Sequence, residues 1–411
     1  MSDIVHCDAL PPFALTGWSG ADVANPYPVY RRYRDAATIH RGTDGTHYLL
    51  GYEEVTKVLS SRSFGRRVGA AGHSGAGGLV PAECVALRNM VENWLVFLDP
   101  PRHTELRSVL AARFSPAVVS GLRQRIAEIA VSLLSPCADE LEFDLVEAFS
   151  APLPILVISE LLGVPTSDWK WLRDRVIAIQ AASSSRRFTS GAEMFRLADT
   201  AAAELAGYFL SLATRRRRAP KDDLVSMMAS DDALSVDEIV SSCVHLMSAG
   251  HETTTNILGK AILALGADRG VLSLLRASTG VPSSAVEELV RFDGPVQSVT
   301  RWAYRDVRLA GSDIPRGTRV VAVLGAANRD PARFADPDVL RLDRGAGCGV
   351  GFGHGIHYCL GAALARAEIE IGLGLLLDVL GEFTVERTEY PCDMVFHGPS
   401  SLVLRRGGRS P

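Results

Sequence analysis

One eleven-residue segment restricts this chain more than any other: Gly351-Phe-Gly-His-Gly-Ile-His-Tyr-Cys-Leu-Gly361. Gly353, Gly355 and Gly361 are spaced so that the backbone can take positive φ and come close to a flat ligand. Cys359 stands at the start of an apolar helical pattern, where free N–H groups and the helix dipole favour a thiolate. A thiolate offered from a glycine-rich turn suits a single axial bond to a metal. Two other readings stay open on these residues alone. Cys359 can be an inert buried thiol, or one ligand of a zinc site with His354 and His357, although no second ligand cluster of the usual spacing accompanies it.

The rest of the composition narrows the class. With 411 residues the chain has room for two to four domains, or for one large one. Hydrophobic residues make up 47% and charged residues 22%, which argues against disorder and against a coiled coil. The 43 basic and 47 acidic side chains leave a net charge of −4, not the balance of a nucleic-acid binder. Seven cysteines (7, 84, 137, 243, 348, 359 and 392) are scattered with no CxxC pair, so reduced thiols fit better than a disulfide framework. No signal-peptide pattern opens the chain, and its most apolar stretch, residues 153–164, falls short of the roughly 20 residues a spanning helix needs. A cytoplasmic protein is expected.

Residues 25–35 and Tyr52 to Ser60 read as helices, with a strand near Thr46 to Gly51. Residues 65–78, rich in glycine, read as a long loop of the kind that carries function. Helical periodicity dominates from Ala86 to Leu274. Ser235 and Glu238 form a capping box that opens an apolar pattern of some 30 residues, against a mean helix of about 11–12. Ser283 and Ser284 cap a short helix. Residues 296–323 change to β-branched runs broken by turns, a polar loop follows to Arg344, Leu360 to Leu380 reads as a helix, and the last thirty residues read as β. The expected fold is mainly α with a smaller β-rich part. It forms one domain over residues 1–411, with an α-rich core near 86–294 and 360–380 and β-rich parts near 40–60, 296–325 and 383–405.

Further residues stand out before any family is considered. In Ala249-Gly-His-Glu-Thr-Thr254, a glycine, a carboxylate and hydroxyls interrupt the long helix where each is locally unfavourable, which marks a kink or a site. Glu288 and Arg291 lie at i and i+3 and can pair on one helix. His103 and Arg107 share a helix face at i and i+4.

The cysteine segment resembles the haem-binding loop of the cytochrome P450 superfamily, FxxGxxxCxG, which Phe352, Gly355, Cys359 and Gly361 fill without a gap. The interrupted helix resembles that family's oxygen-activation motif, (A/G)Gx(D/E)T. Glu288-Leu-Val-Arg291 matches its ExxR motif, and Asp99-Pro-Pro-Arg-His resembles its HxxxR segment. These regions follow in family order and cover roughly residues 99 to 361. By this resemblance the fold is the cytochrome P450 fold, with the long helix over haem b. Cys359 is the iron ligand, and Phe352, Gly353, His357, Gly361, Ala249 and Gly250 line the cofactor, Gly250 opening a groove for dioxygen. His103, Arg107, Arg301 and His357 hold its propionates. Thr253 hydrogen-bonds the oxygen and Glu252 relays protons. Glu288, Arg291 and Arg333 form a structural ion cluster.

The resemblance implies a monooxygenase that takes electrons from a ferredoxin and its NAD(P)H-dependent reductase, and that works as a monomer without membrane or nucleic acid. Arg102, Arg107, Arg113 and Arg366 are expected to face that ferredoxin. A peroxygenase is disfavoured by Glu252 and Thr253, and a haem sensor by the proton-relay motif. Segments that face substrate in the family supply Arg66, Arg67, Trp94, Phe97, Gln180, Arg186, Arg187, His245, Val296, Gln297, Phe396 and His397. Their aromatic and cationic mixture points to a bulky aromatic or carboxylate-bearing natural-product intermediate. Bis-indole coupling and macrolide or polyketide oxidation are alternatives.

Overall fold

A computed structural model describes residues 10–66, 80–182, 191–345 and 349–407. Arg67, Arg186, Arg187 and most of the glycine-rich loop lie outside the described residues.

In chain order the helices are α1 (Gly20–Ala24), α2 (Tyr27–Ala36), α3 (Tyr52–Ser60), α4 (Val85–Glu92), α5 (Arg102–Ala111), α6 (Pro116–Cys137), α7 (Pro152–Leu162), α8 (Trp169–Ala181), α9 (Ala192–Arg218), α10 (Leu224–Ala229), α11 (Val236–Ala267), α12 (Arg269–Ala277), α13 (Ser283–Phe292), α14 (Leu324–Ala327) and α15 (Ala362–Leu380). The strands are β1 (Ile39–Arg41), β2 (His47–Leu49), β3 (Phe64–Gly65), β4 (Glu142–Asp144), β5 (Ser298–Ala303), β6 (Val307–Leu309), β7 (Ser312–Ile314), β8 (Arg319–Val323), β9 (Phe383–Glu389) and β10 (Ser401–Arg406).

The organising element is α11. Ser235 accepts from the Glu238 N–H while the Glu238 carboxylate reaches back to the cap, so the capping box is formed as its sequence predicts. The helix then runs 32 residues, about 48 Å at 1.5 Å per residue. It packs against α7, α9 and α15, and most of its side chains are buried. Around it the apolar faces of α4 to α15 form the main core, from Leu106 and Phe149 to Leu373 and Leu377. Helix α13 starts at Ser283 without a side-chain cap, so the expected serine cap is absent.

The main sheet has the order β1-β2-β8-β5-β3, with β2 and β8 parallel and the other pairs antiparallel. A second core of Leu49, Val55, Val58, Val320 and Ala322 lies on it. The region near 40–60, expected to be β-rich, holds two three-residue strands and the helix α3. β4, β10 and β9 make a second sheet. An isolated bridge joins Val296 to Phe396 beside the first sheet. No helix among the described residues is long and apolar enough to cross a membrane.

Candidate functional site

The cysteine loop is held by its own backbone. The Cys359 N–H donates to the Phe352 carbonyl at 2.8 Å, closing the loop into a tight turn. Gly353 and Gly355 take φ of +77° and +72°, and a Cβ at Gly355 would lie 2.3 Å from the Leu59 carbonyl. Glycine is therefore required at Gly355 on both counts. Gly361 differs from expectation: its φ is −87°, and it caps α15, which begins at Ala362. Its N–H instead reaches the Cys359 sulfur. Burial pushes the thiol up, opposed by that N–H and by Arg107 and Arg366. The free-thiol pKa is thus raised where helix-end reasoning expected it lowered; coordination to a metal would remove the proton outright.

A buried cationic group borders the loop. His103 is 1% exposed and its ring lies 4.3 Å from that of His357. Neither nitrogen of His103 nor Nε2 of His357 has a hydrogen-bond partner among the described residues. Arg107 donates to the Tyr358 carbonyl at 2.7 Å, and Arg301 to the Thr300 carbonyl at 2.9 Å. Burial and Arg66 bring the Arg301 guanidinium down to about 9. Burial lowers both imidazoles and keeps them neutral, so each carries one N–H; with the buried Arg301 and half-buried Arg107 beside them, these donors suit an anionic acceptor.

On α11 the face of His245, Ala249 and Thr253 is open, although Val244, Met247, His251 and Thr254 around it are buried. The Thr253 hydroxyl donates to the Ala249 carbonyl at 3.0 Å, back-bonding of the kind that loosens a helix. A Cβ on Gly250 would meet Ile158 of α7 at 3.6 Å, an ordinary contact, so the glycine is not required by space and its Cβ direction faces α7. Gln180 of α8 donates to the Ser248 carbonyl at 3.0 Å, one residue before this face.

Trp94 stacks on the His245 ring at 5.1 Å and on Phe97 at 6.2 Å, with interplanar angles of 19° and 7°. Burial, with Arg66 nearby, brings His245 down to about 4 and keeps it neutral. Val296 and Phe396 pair across their bridge and are half-buried. Their neighbours Gln297 and His397 are fully buried. Gln297 is 0% exposed and donates to the Gly294 carbonyl at 2.7 Å. His397 accepts from Lys260 at 2.7 Å and donates to the Val23 carbonyl at 2.6 Å. These two, expected to touch substrate, instead pin α1, α11 and the end of α13 together.

Glu288 takes both Arg291 N–H groups at 2.6 and 2.7 Å. The third member of the cluster is Arg344, at 3.2 Å, and not the expected Arg333, whose guanidinium lies over the rings of Tyr52 and Phe334.

The donor set fits haem: one loop thiolate, a glycine turn close to it, and buried donors lacking acceptors that match two propionates. Comparison with known proteins decides the family. The chain is 35% identical to cytochrome P450 monooxygenase PikC of Streptomyces venezuelae over 98% of its length and 96% of that protein's. The chain belongs to the cytochrome P450 family. The Cytochrome P450 family model matches residues 283–407. Polyketide biosynthesis cytochrome P450 PksS of Bacillus subtilis is 33% identical over 86% of this chain and 88% of its own. Among solved structures, CalO2 superposes with a TM-score of 0.87 at 30% identity, covering 97% of this chain and 99% of its own. This cytochrome P450 is therefore a monooxygenase by family, using haem and dioxygen with electrons supplied by a reductase.

One buried carboxylate of this cytochrome P450 went unnoticed in the sequence. Glu368 of α15 is 3% exposed, and burial pushes it up to about 8 against a hydrogen bond with Thr254. Its signal was a spacing of four from Leu364 and Gly372, which places it on one face of that helix with them.

Proposed function

We propose that this cytochrome P450 oxidises a bulky aromatic natural-product intermediate, with haem b, dioxygen, and electrons passed from a ferredoxin and its NAD(P)H-dependent reductase. The observation that carries this reading is the stacked wall of Phe97, Trp94 and His245 beside the open face of α11. Flat rings gain about 0.5–1.5 kcal/mol from such stacking beyond area burial. A neutral imidazole in that wall offers a hydrogen bond without demanding a counter-charge. Val296 and Phe396, half-buried and paired across their bridge, are assigned to the same pocket as its apolar part. The carboxylate-bearing alternative rested on arginines: Arg67, Arg186 and Arg187 lie outside the described residues, and Arg66 bonds backbone carbonyls.

When bound, haem held by a cysteine thiolate supplies oxygen activation. The chain's own part is positional. His103, Arg107, Arg301 and His357 would hold the propionates. Thr253 presents a hydroxyl at the open face, and Glu252 stands next to it as the proton carrier. Arg102 pairs with Glu238 and Glu105, Arg113 with Asp222, and Arg366 with Glu287. A ferredoxin would therefore gain little long-range steering from them, and exposed Ile356 and Tyr358 offer the apolar part of that contact.

Spin-state titration of the ferric protein tests the substrate reading. Polycyclic aromatic ligands are expected to bind, and Trp94→Ala to weaken them several-fold. Tight binding of neutral macrolides with none of aromatic ligands would overturn it.

A further inference from the structure

Two guanidinium groups meet at one carbonyl oxygen. Arg301 donates through Nη1 to Thr300 O at 2.9 Å, and Arg66 donates through Nη1 to the same atom. Arg66 is fixed further by Nε to the Val96 carbonyl at 2.7 Å. Its own backbone N–H donates to both Asp99 oxygens, at 3.0 and 3.2 Å. The ring of Phe97 covers the guanidinium at 5.0 Å, and Trp94 and His245 continue that stack toward α11. The aromatic wall thus stands between Arg66 and the place proposed for substrate.

Like charges buried side by side need anions. Asp99 is a neighbouring carboxylate, and it already accepts the Arg66 N–H and the Tyr304 hydroxyl. Three guanidiniums, of Arg66, Arg107 and Arg301, gather here with His103, neither of whose nitrogens has a partner among the described residues, and with His357, whose Nε2 has none. One carboxylate does not balance that set; a ligand with two carboxylates does.

We propose that Arg66 serves the haem carboxylates beside Arg301, and does not recognise substrate. The shared carbonyl of Thr300 is the device that brings the second cation in, and the Val96 carbonyl sets its direction. Arg66 also roots the wall: its guanidinium supports Phe97, on which Trp94 rests. This inference rests on the haem of the cytochrome P450 family and not on the aromatic substrate.

The test compares wild type, Arg66→Gln, Arg66→Lys and Arg301→Gln in their haem-loaded form. Three quantities are read: the rate of haem transfer to excess apomyoglobin, the ferric/ferrous midpoint potential, and the affinity ratio for an aromatic acid over its methyl ester. Arg66→Gln is expected to lose haem several-fold faster, in the same direction as Arg301→Gln. Its potential is expected to move negative, because a cation that disfavours the ferric charge is gone. The acid-to-ester ratio is expected to stay at the wild-type value. Arg66→Lys keeps the charge but cannot hold both carbonyls, so its potential stays near wild type while haem loss quickens; this variant carries the test if the glutamine variant does not load haem. Unchanged haem loss and potential in Arg66→Gln, or an acid-to-ester ratio that collapses toward one, would overturn the proposal. Failure of every aromatic ligand to bind, with the haem readouts as expected, counts against the substrate reading alone.

Discussion

Replacing Glu288 with glutamine tests the ion cluster beneath the cysteine loop. The carboxylate accepts from Arg291 Nε and Nη2, from the Arg341 backbone N–H at 2.9 Å, and from Arg344 Nε. Side chains of Glu288 and Arg291 are 1% and 2% exposed. An amide keeps the shape, but turns one acceptor into a donor that faces other donors. It also leaves the Arg291 charge buried against an uncharged amide and the Asn328, Pro337 and Val339 carbonyls. Removing one partner of a buried pair costs about 3–5 kcal/mol, against a total stability of about 5–15 kcal/mol. Arg344→Gln removes the pair with Glu288 and the bonds to the Ala335 and Asp336 carbonyls from a side chain 14% exposed; the charged pair alone is expected to cost about 1.5–3 kcal/mol. Arg333→Gln leaves every named partner of Glu288 in place and is expected to cost less than Arg344→Gln. Urea unfolding of the haem-loaded variants, followed by tryptophan fluorescence, gives these differences. A Glu288→Gln loss below about 1 kcal/mol, or a greater loss for Arg333→Gln than for Arg344→Gln, would refute the reasoning, since neither fits a penalty set by an uncompensated buried charge.

Two further outcomes are expected. Thr253→Ala should consume NAD(P)H with less product and more peroxide while ligand binding is unchanged; an unaltered product-to-NAD(P)H ratio would remove Thr253 from proton delivery. His397, brought down to about 4 chiefly by burial and then by Lys260, binds its proton less readily than in the unfolded chain. Its contribution is present above about pH 6.5 and is lost as pH falls toward 4, by roughly 3 kcal/mol at 1.36 kcal/mol per unit. The urea midpoint should fall over that window in wild type and less in His397→Gln, whose amide can keep both hydrogen bonds; parallel profiles would contradict this.

What could be read from the sequence was local. The capping box of Ser235 and Glu238, the helix Tyr52–Ser60 and the turn around Cys359 each depend on neighbouring residues, and they form where expected. Strand β3 is two residues long and exists because Phe64 and Gly65 meet Ala303 and Trp302, some 240 residues away, which no local pattern announces. Gln297 and His397 were misplaced for a different reason. They lie outside the strands, and their partners, the Tyr27 hydroxyl for Gln297 and Lys260 and the Val23 carbonyl for His397, are far along the chain. Arg344 was missed because the polar loop from Asn328 folds back on Glu288 through backbone carbonyls, as when Arg344 donates to Ala335, and loop geometry of that kind has no periodicity. The sharing of the Thr300 carbonyl by Arg66 depends on β5, far along the chain, and no pattern around Arg66 announces it.

The carbonyl difference spectrum of the reduced protein, taken for wild type and for Cys359→Ser at equal haem loading, bears most directly on the assignment of the site. Wild type should give the long-wavelength band of a thiolate-ligated haem, and the serine variant should lose it together with oxygenation. A serine variant that keeps the thiolate band would show that another group holds the iron, and would contradict the site built around Cys359.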